Sequence, residues 1–478
     1  MRTVRILPLL LVAAMALGVP GARAEELKPI QNPDGVKALV RLLEEKKVLT
    51  EDEANDFLFF WEEKRVQAKE NNAETERKVL QASEWASRVR FGGDIRLRYE
   101  GKFYDKNNAS FLSPTAPSTL ENTSIDQQRA RYRLRLGATA QINEDSEVGI
   151  SLTTGSTSDP VSTNRTLGDY FNKDSILIDK AYLKVKPVDF MALWGGRMPM
   201  PFKTTDLHWD TDVNPEGFAA QFAYKVHRQV KLFGTAAAFT VQEVPLSQDD
   251  QWLFAGQVGA DYSPLDYLKS TFAVSYWSYS NIRGRENPTG SVASSGPYNY
   301  TSPTSQQGGN SLFNINAAVS SSLSDAKLAP ASKFHILDIL FVLDTRLSDP
   351  YHVVFTGNYL RNVGFDLGEI RALTGNTDIS RRNQAFLAGL KVGHSAIEKL
   401  ADWQVYLTYK YLEGDAVFDT FTDSDFHGGG TNAQGWIMGV MVGIYQNMWL
   451  ETKWITANEI DGPPLAVDTL QVDINARF

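Results

Sequence analysis

The chain has 478 residues, a formal charge of −9 and no cysteine, which excludes disulfide scaffolds, thiolate nucleophiles, Cys-ligated zinc and iron–sulfur clusters. At 42% apolar and 22% charged it is too hydrophobic for a disordered chain, and a mean hydropathy of −0.28 is too polar for a bundle of membrane helices. The acidic balance argues against nucleic acid as a partner, since phosphate affinity requires a basic surface.

Arg2 and Arg5 precede an apolar run from Ile6 to Val19, and Ala22-Arg23-Ala24 supplies small residues for cleavage, so residues 1–24 read as an export signal. An uncleaved anchor is the alternative, but the run is short for a span of about 20 residues. Removing Arg2, Arg5 and Arg23 from the 48 basic residues leaves 45 against 57 acids, a charge of −12. Beyond residue 24 no segment approaches the roughly 18 consecutive apolar residues of a membrane helix, so a mature chain in a membrane must be there as a closed barrel.

Residues 25–87 are expected to form a separate helical segment. Val36, Leu39, Val40, Leu42 and Leu43 recur at helical spacing, and Thr50-Glu51-Asp52-Glu53 has the form of a capping box. The second helix carries Phe57, Leu58, Phe60 and Trp61, then a charged stretch from Glu62 to Lys78. A hairpin packed through the first halves, an oligomeric coiled coil and a solvated helix are all open at this point.

From residue 88 the period changes to two. Val89, Phe91, Ile95, Leu97, Tyr99 and Phe103 alternate with Arg88, Arg90, Asp94, Arg96, Arg98, Glu100 and Lys102. The pattern returns with Arg129, Arg131, Arg133 and Arg135 set against Ala130, Tyr132, Leu134 and Leu136. Comparable runs continue to residue 478 and amount to roughly sixteen strands. Short links, as at 143–145 and 446–447, alternate with long ones, as at 104–126, 198–216, 280–333 and 414–434, which is the signature of a bacterial outer-membrane barrel. The apolar run 312–319 is placed inside a long connection, because such barrels have an even number of strands. A soluble sandwich or propeller is disfavoured by strands of about 10 to 15 residues, against the usual 5 or 6. Leu470, Val472, Ile474 and Ala476 alternate with polar residues up to a terminal Phe478, an ending that resembles the strand recognised by the barrel-assembly machinery. The fold class is therefore all-β: a transmembrane antiparallel up-and-down barrel over 88–478, preceded by a short α-helical segment.

Gly195-Gly196-Arg197-Met198-Pro199-Met200-Pro201-Phe202, with Asp179-Lys180-Ala181-Tyr182-Leu183 before it and Asp206-Leu207-His208-Trp209-Asp210 after it, resembles the bacterial family of putative porins. So do Leu412-Glu413-Gly414-Asp415-Ala416-Val417-Phe418, Asp423-Ser424-Asp425-Phe426 and Gly428-Gly429-Gly430-Thr431-Asn432. The resemblance covers roughly 88–478 and implies a porin barrel in a Gram-negative outer membrane, in contact with lipid and lipopolysaccharide, assembled as a homotrimer. Met200 stands where an Asn is expected in the Arg-Met-Pro-x-Pro-Phe block.

With the apolar face toward lipid, Arg88, Arg90, Arg96, Arg98, Arg129, Arg131, Arg133 and Arg135 line the lumen as a cationic wall. Such a wall guides anions or forms half of a transverse field. The alternative is that the lower arginines sit at the periplasmic rim and pair with acids or lipid phosphate. The resemblance implies that the third long connection, Met198–Pro215, folds inward as a constriction, with Arg197 at its start and Asp206, Asp210 and Asp212 placed to face the arginines; the alternative is a solvated hairpin that stays outside. A sixteen-strand barrel leaves an aqueous channel, so passive diffusion of small hydrophilic solutes or ions, without an enzymatic step, is the expected function. No catalytic motif is present, the six histidines are scattered, and Phe421 breaks an acid spacing of Asp419, Asp423 and Asp425 that faintly suggests calcium; no cofactor or metal is expected. The alternatives are a tether gripping peptidoglycan through the N-terminal helices and an outer-membrane barrel hydrolase.

Overall fold

The computed structural model describes residues 33–245 and 247–478; the expected export signal, residues 1–24, lies outside the described residues. No described helix is long and apolar enough to cross a membrane, which says nothing of strands. The chain divides into two compact units between Ser87 and Arg88.

The first unit holds helices α1, Pro33–Glu45, and α2, Glu51–Arg88. The Thr50 hydroxyl accepts from the Glu53 N–H at 3.3 Å while the Glu53 carboxylate accepts from the Thr50 N–H at 2.9 Å, a reciprocal cap that starts α2 where the sequence placed it. Val36 and Val40 of α1 are buried with Ala54 of α2, and Leu49, Phe57, Leu58 and Trp61 pack on them. The hairpin through the first halves is therefore the arrangement formed.

The second unit is a closed antiparallel barrel of sixteen strands. In chain order they are β1 Val89–Tyr104, β2 Gln127–Asn143, β3 Ser146–Thr153, β4 Leu177–Val188, β5 Met191–Arg197, β6 Glu216–His227, β7 Val230–Gln242 and β8 Gln251–Leu265. There follow β9 Leu268–Ser280, β10 His335–Ser348, β11 Tyr351–Asn362, β12 Gln384–His394, β13 Trp403–Leu412, β14 Ala433–Tyr445, β15 Met448–Glu459 and β16 Ala466–Arg477. Each pairs with its sequence neighbours, and β1 closes on β16 with Asp94 opposite Arg477 and Tyr104 opposite Val467. A two-residue strand, Arg165–Thr166, adds to β2. Of the run 312–319 only Leu312–Asn314 is extended, paired with Leu328–Pro330 inside the long connection after β9, so it does not enter the wall.

The two faces differ as the alternation requires. Leu97, Phe218, Phe254, Val258, Phe272 and Trp436 are exposed on the outer face, where they meet lipid. On the inner face Arg98, Glu100, Gln257, Ser275, Asp338, Lys410, Gln471 and Asp473 are buried. Their burial comes from long connections that fold inward. Met198, Phe202, Leu207 and Trp209 of the 198–215 connection join Phe418 of the 413–432 connection, with inner-face Trp277 and Ile336, in one apolar cluster. The lumen is thus not an open tube: an apolar cluster crosses it, with a cavity of about 660 Å³ toward the long-loop end and one of about 510 Å³ toward the short-turn end.

Candidate functional site

The arginine face is built by the register of β1 on β2. Asp94, Arg96, Arg98 and Glu100 lie directly opposite Arg135, Arg133, Arg131 and Arg129. Like charges that meet across a ladder repel, so Arg96 opposite Arg133 and Arg98 opposite Arg131 need acids nearby. Asp94 takes both Arg133 at 2.7 Å and Arg135 at 2.8 Å. Glu100 takes Arg129 at 2.5 Å and Arg131 at 3.3 Å. Asp473, opposite Arg98 on β16, accepts two hydrogen bonds from it at 2.8 Å, and Arg96 donates to Asn164 at 2.6 Å. The wall is therefore a laced network rather than a bare cationic surface.

Two of the eight expected arginines stand outside it. Arg88 is the last residue of α2 and precedes the first strand, so the two-residue period begins one residue later than expected. Arg90 is exposed near the short-turn end, opposite Thr139. Phe478 follows β16 and exchanges backbone hydrogen bonds with Gly93 at 2.8 and 3.0 Å. A Cβ on Gly93 would come within 2.5 Å of the Arg135 carbonyl oxygen and 2.8 Å of the Phe478 ring, so the terminal aromatic seats only against glycine.

The 198–215 connection packs against the inner faces of several strands. The Gln257 side chain accepts from the Lys203 N–H at 3.0 Å and donates back to the Lys203 carbonyl at 2.7 Å, while Gln221 donates to the Pro201 carbonyl at 2.6 Å. Thr205 donates to Asn358 at 2.5 Å. Its acids do not all face the arginines. Asp212 meets Arg135 at 3.4 Å and accepts from the Thr163 hydroxyl at 2.8 Å. Asp206 instead pairs with Lys410 at 2.9 Å, and Asp210 accepts from the Ser424 N–H at 3.0 Å. Arg197 ends β5, pairs with Glu216 at 2.5 Å and donates to the Asp179 carbonyl at 2.8 Å, so it belongs to the wall.

Sequence reasoning assigned no role to the second inward connection, 413–432. Its Asp423 reaches Lys410 at 2.6 Å and its Asp425 reaches Arg98 at 3.0 Å; Asp419 accepts from the Gly308 N–H at 2.7 Å. The three acids thus diverge to three partners, and no group of metal-ligating side chains occurs among the described residues. The signal available was the glycine run: Gly428, Gly429 and Gly430 all have positive φ, and a Cβ on Gly430 would stand 2.3 Å from the Gly308 carbonyl oxygen. Lys410, fully buried between Asp206 and Asp423, ties both inward connections to the wall.

Electrostatics at the junction of the two connections run in opposite directions. Burial would raise the Asp425 carboxyl, but Arg98, Lys453 and Arg96 overturn this and hold it well below the usual carboxylate range. Burial, then Asp423 and Asp212, push Asp210 up to about 8. The Asp210 shift predicts a pH effect. A folded value above the unfolded carboxylate value of about 3.9 means that its stabilisation is complete below that value and is lost as pH rises through about 8. The junction is expected to loosen as pH rises from about 4 through about 8, read as growing open-channel noise in bilayers. Asp210→Asn is expected to abolish that dependence, and an unchanged pH profile in this variant refutes the assignment.

The family described as "Putative porin" matches residues 62–478. No curated relative matches the chain. Similar solved structures include the outer membrane channel DcaP of Acinetobacter baumannii, at 13% identity, a TM-score of 0.42 and coverage of 82% of this chain and 97% of that one. Another is OprB of Pseudomonas putida, at 11% identity, a TM-score of 0.46 and coverage of 83% and 96%. A third is OmpF of Salmonella typhi, at 10% identity, a TM-score of 0.42 and coverage of 82% and 97%. With its sixteen-strand barrel and a family match over most of its length, the chain belongs to the putative porin family of outer-membrane proteins.

Proposed function

We propose that the chain forms a channel for passive diffusion of small hydrophilic solutes or ions, narrowed by the two inward connections and selective through the charges beside them. The observation that carries this reading is the cavity of about 510 Å³ at the short-turn end. Arg96, Arg133, Lys391 and Lys453 line it from the wall together with Glu451, while Asp206, Asp210, Asp212, Asp423 and Asp425 line it from the connections, so a solute there experiences a transverse field with its acid side on the connections. Asp212 also lines the larger cavity toward the long loops. Asp94, Glu100 and Asp473 of the wall, Asp212 and Asp425 of the connections and the Asn164 amide moderate the six arginines, and the proposed preference for anions comes from the charge these five carboxylates leave over.

In planar bilayers the purified protein is expected to give stepwise conductance, with a reversal potential in a salt gradient that favours anions. Exchanging Arg131 and Arg133 together for Glu adds negative charge at both Glu100 and Asp94, so the reversal potential is expected to move toward cations. An unchanged reversal potential in that variant overturns the selectivity assignment, and absence of conductance steps overturns the channel. Assembly as a homotrimer is part of the proposal and is tested by the mass of the detergent-solubilised particle.

A further inference from the structure

A second site lies higher on the same wall, toward the long-loop end. Lys102 is on the inner face of β1, one alternation beyond Glu100, and forms no ion pair or hydrogen bond with a described residue. It lines a cavity of about 340 Å³ together with Arg129 and Arg131. The acid nearest in the ladder is already used: Glu100 takes Arg129 and Arg131 and also accepts from Gln471 at 3.3 Å. Arg131 keeps its Nε buried without a partner and extends one terminal nitrogen to the Ser162 hydroxyl at 3.4 Å. Glu100 is thus shared by two arginines, while Asp159 in the lining and Asp425 and Glu121 farther off act on these cations through space without an ion pair to Lys102.

The rest of the lining suits an anion with several oxygens. Ser158, Thr304 and Ser305 bring hydroxyl groups, whereas the Gln306 and Gln307 amide N–H groups are already given to backbone carbonyls. The one carboxylate in the lining, Asp159, is engaged by the Val161 N–H at 3.1 Å. Gly428 forms part of the lining, and a Cβ there would sit 3.4 Å from the Lys102 ammonium, so the bare backbone leaves room beside the amine. Hydroxyls beside guanidinium and ammonium groups form charge-assisted hydrogen bonds best with an oxyanion, which offers many acceptor lone pairs in a small volume. A halide would use the charge and leave the hydroxyl donors without directed acceptors.

We propose that Lys102, Arg129 and Arg131, with the Ser162 and Thr304 hydroxyls, form a binding site for a multivalent oxyanion of the phosphate class inside the channel on its long-loop side. The site rests on the channel reading, because the anion reaches it through the lumen. Lys102 supplies an unpaired charge, and the two arginines supply oriented N–H donors that Glu100 holds in place.

The test is single-channel recording in potassium chloride with inorganic phosphate added in millimolar steps to the long-loop side. The expected result is a graded block of the chloride current, weakened about tenfold or more in Lys102→Gln, a loss equivalent to about 1.4 kcal/mol. Conductance of the variant in chloride alone establishes that it folds. Equal block in wild type and variant overturns the site, as does an open wild-type channel on which phosphate has no effect. Should Lys102→Gln fail to insert, calorimetry of phosphate added to wild-type protein in detergent decides: saturable heat supports the site and its absence overturns it. If wild type shows no conductance steps, the channel reading fails, and the same calorimetry judges the pocket alone. Sulfate blocking equally well supports the oxyanion class, while chloride saturating the same pocket refutes it.

Discussion

Replacing Arg98 by alanine is expected to destabilise the barrel by about 3 to 5 kcal/mol and to release the 413–432 connection from the wall. Arg98 is 3% exposed and stands on the seam where the first strand closes on the last, directly opposite Asp473. Its guanidinium makes two hydrogen bonds to Asp473 at 2.8 Å and two to Asp425 at 3.0 and 3.2 Å. Truncation leaves the buried Asp473 and the half-buried Asp425 with only Arg96 and Lys453 at 4.0 Å, which is costlier than the pair is stabilising. The same geometry predicts a sign in pH: Asp425 has a depressed carboxyl, so its contribution is present above the unfolded value of about 3.9 and is lost on acidification. In Arg98→Ala that acid-side loss should shrink, with Lys453 and Arg96 keeping the remainder. The midpoint of heat-induced unfolding in detergent, followed by gel mobility, measures the effect; a midpoint equal to wild type refutes it. Arg98→Met combined with Asp473→Asn and Asp425→Asn should recover much of the loss, because no orphan charge remains.

Much of this wall was legible in the sequence, and the reason is physical. A barrel strand has lipid on one side and the lumen on the other, so the alternation of Leu97 and Tyr99 with Arg98 and Glu100 survives in the chain as a period. Even the partial neutralisation could be read there, because Asp94 and Glu100 occupy the same alternation as the arginines they bind. Asp473 could not, since barrel closure brings it to Arg98 from 375 residues away. The inward connections were harder still. Lys410 meets Asp206 across a separation of 204 residues, and no local pattern marks either as buried. β9 shows the limit of the alternation: Phe272 and Tyr276 face outward, yet Trp277 and Tyr279 are buried on the inner face. Aromatics on both faces read as lipid contact until the connection that covers one of them is placed. The helical unit was simpler, because the Thr50–Glu53 cap is closed within four residues.

Trp209→Ala separates the two roles of the lumen that Arg98 couples. Trp209 stacks on Phe421 of the other inward connection with ring centroids 5.2 Å apart, and its ring lies 5.3 Å from that of Trp277 on the inner wall. Truncating a buried Trp in such a cluster costs about 3 to 5 kcal/mol of local packing. That loss falls on the contact between the two connections, whereas the barrel ladder and the Arg98–Asp473 seam are untouched. The expected result is therefore a single-channel step larger by roughly twofold, as apolar side chains that exclude water from the waist are removed. The heat-unfolding midpoint of the barrel should move far less than in Arg98→Ala. Trp209→Phe, which keeps a ring against Phe421, should give a step close to wild type. An unchanged conductance in Trp209→Ala, with the variant inserted and open, would mean that the solute path does not pass the aromatic junction; the waist would then have to be assigned to the acids around Lys410.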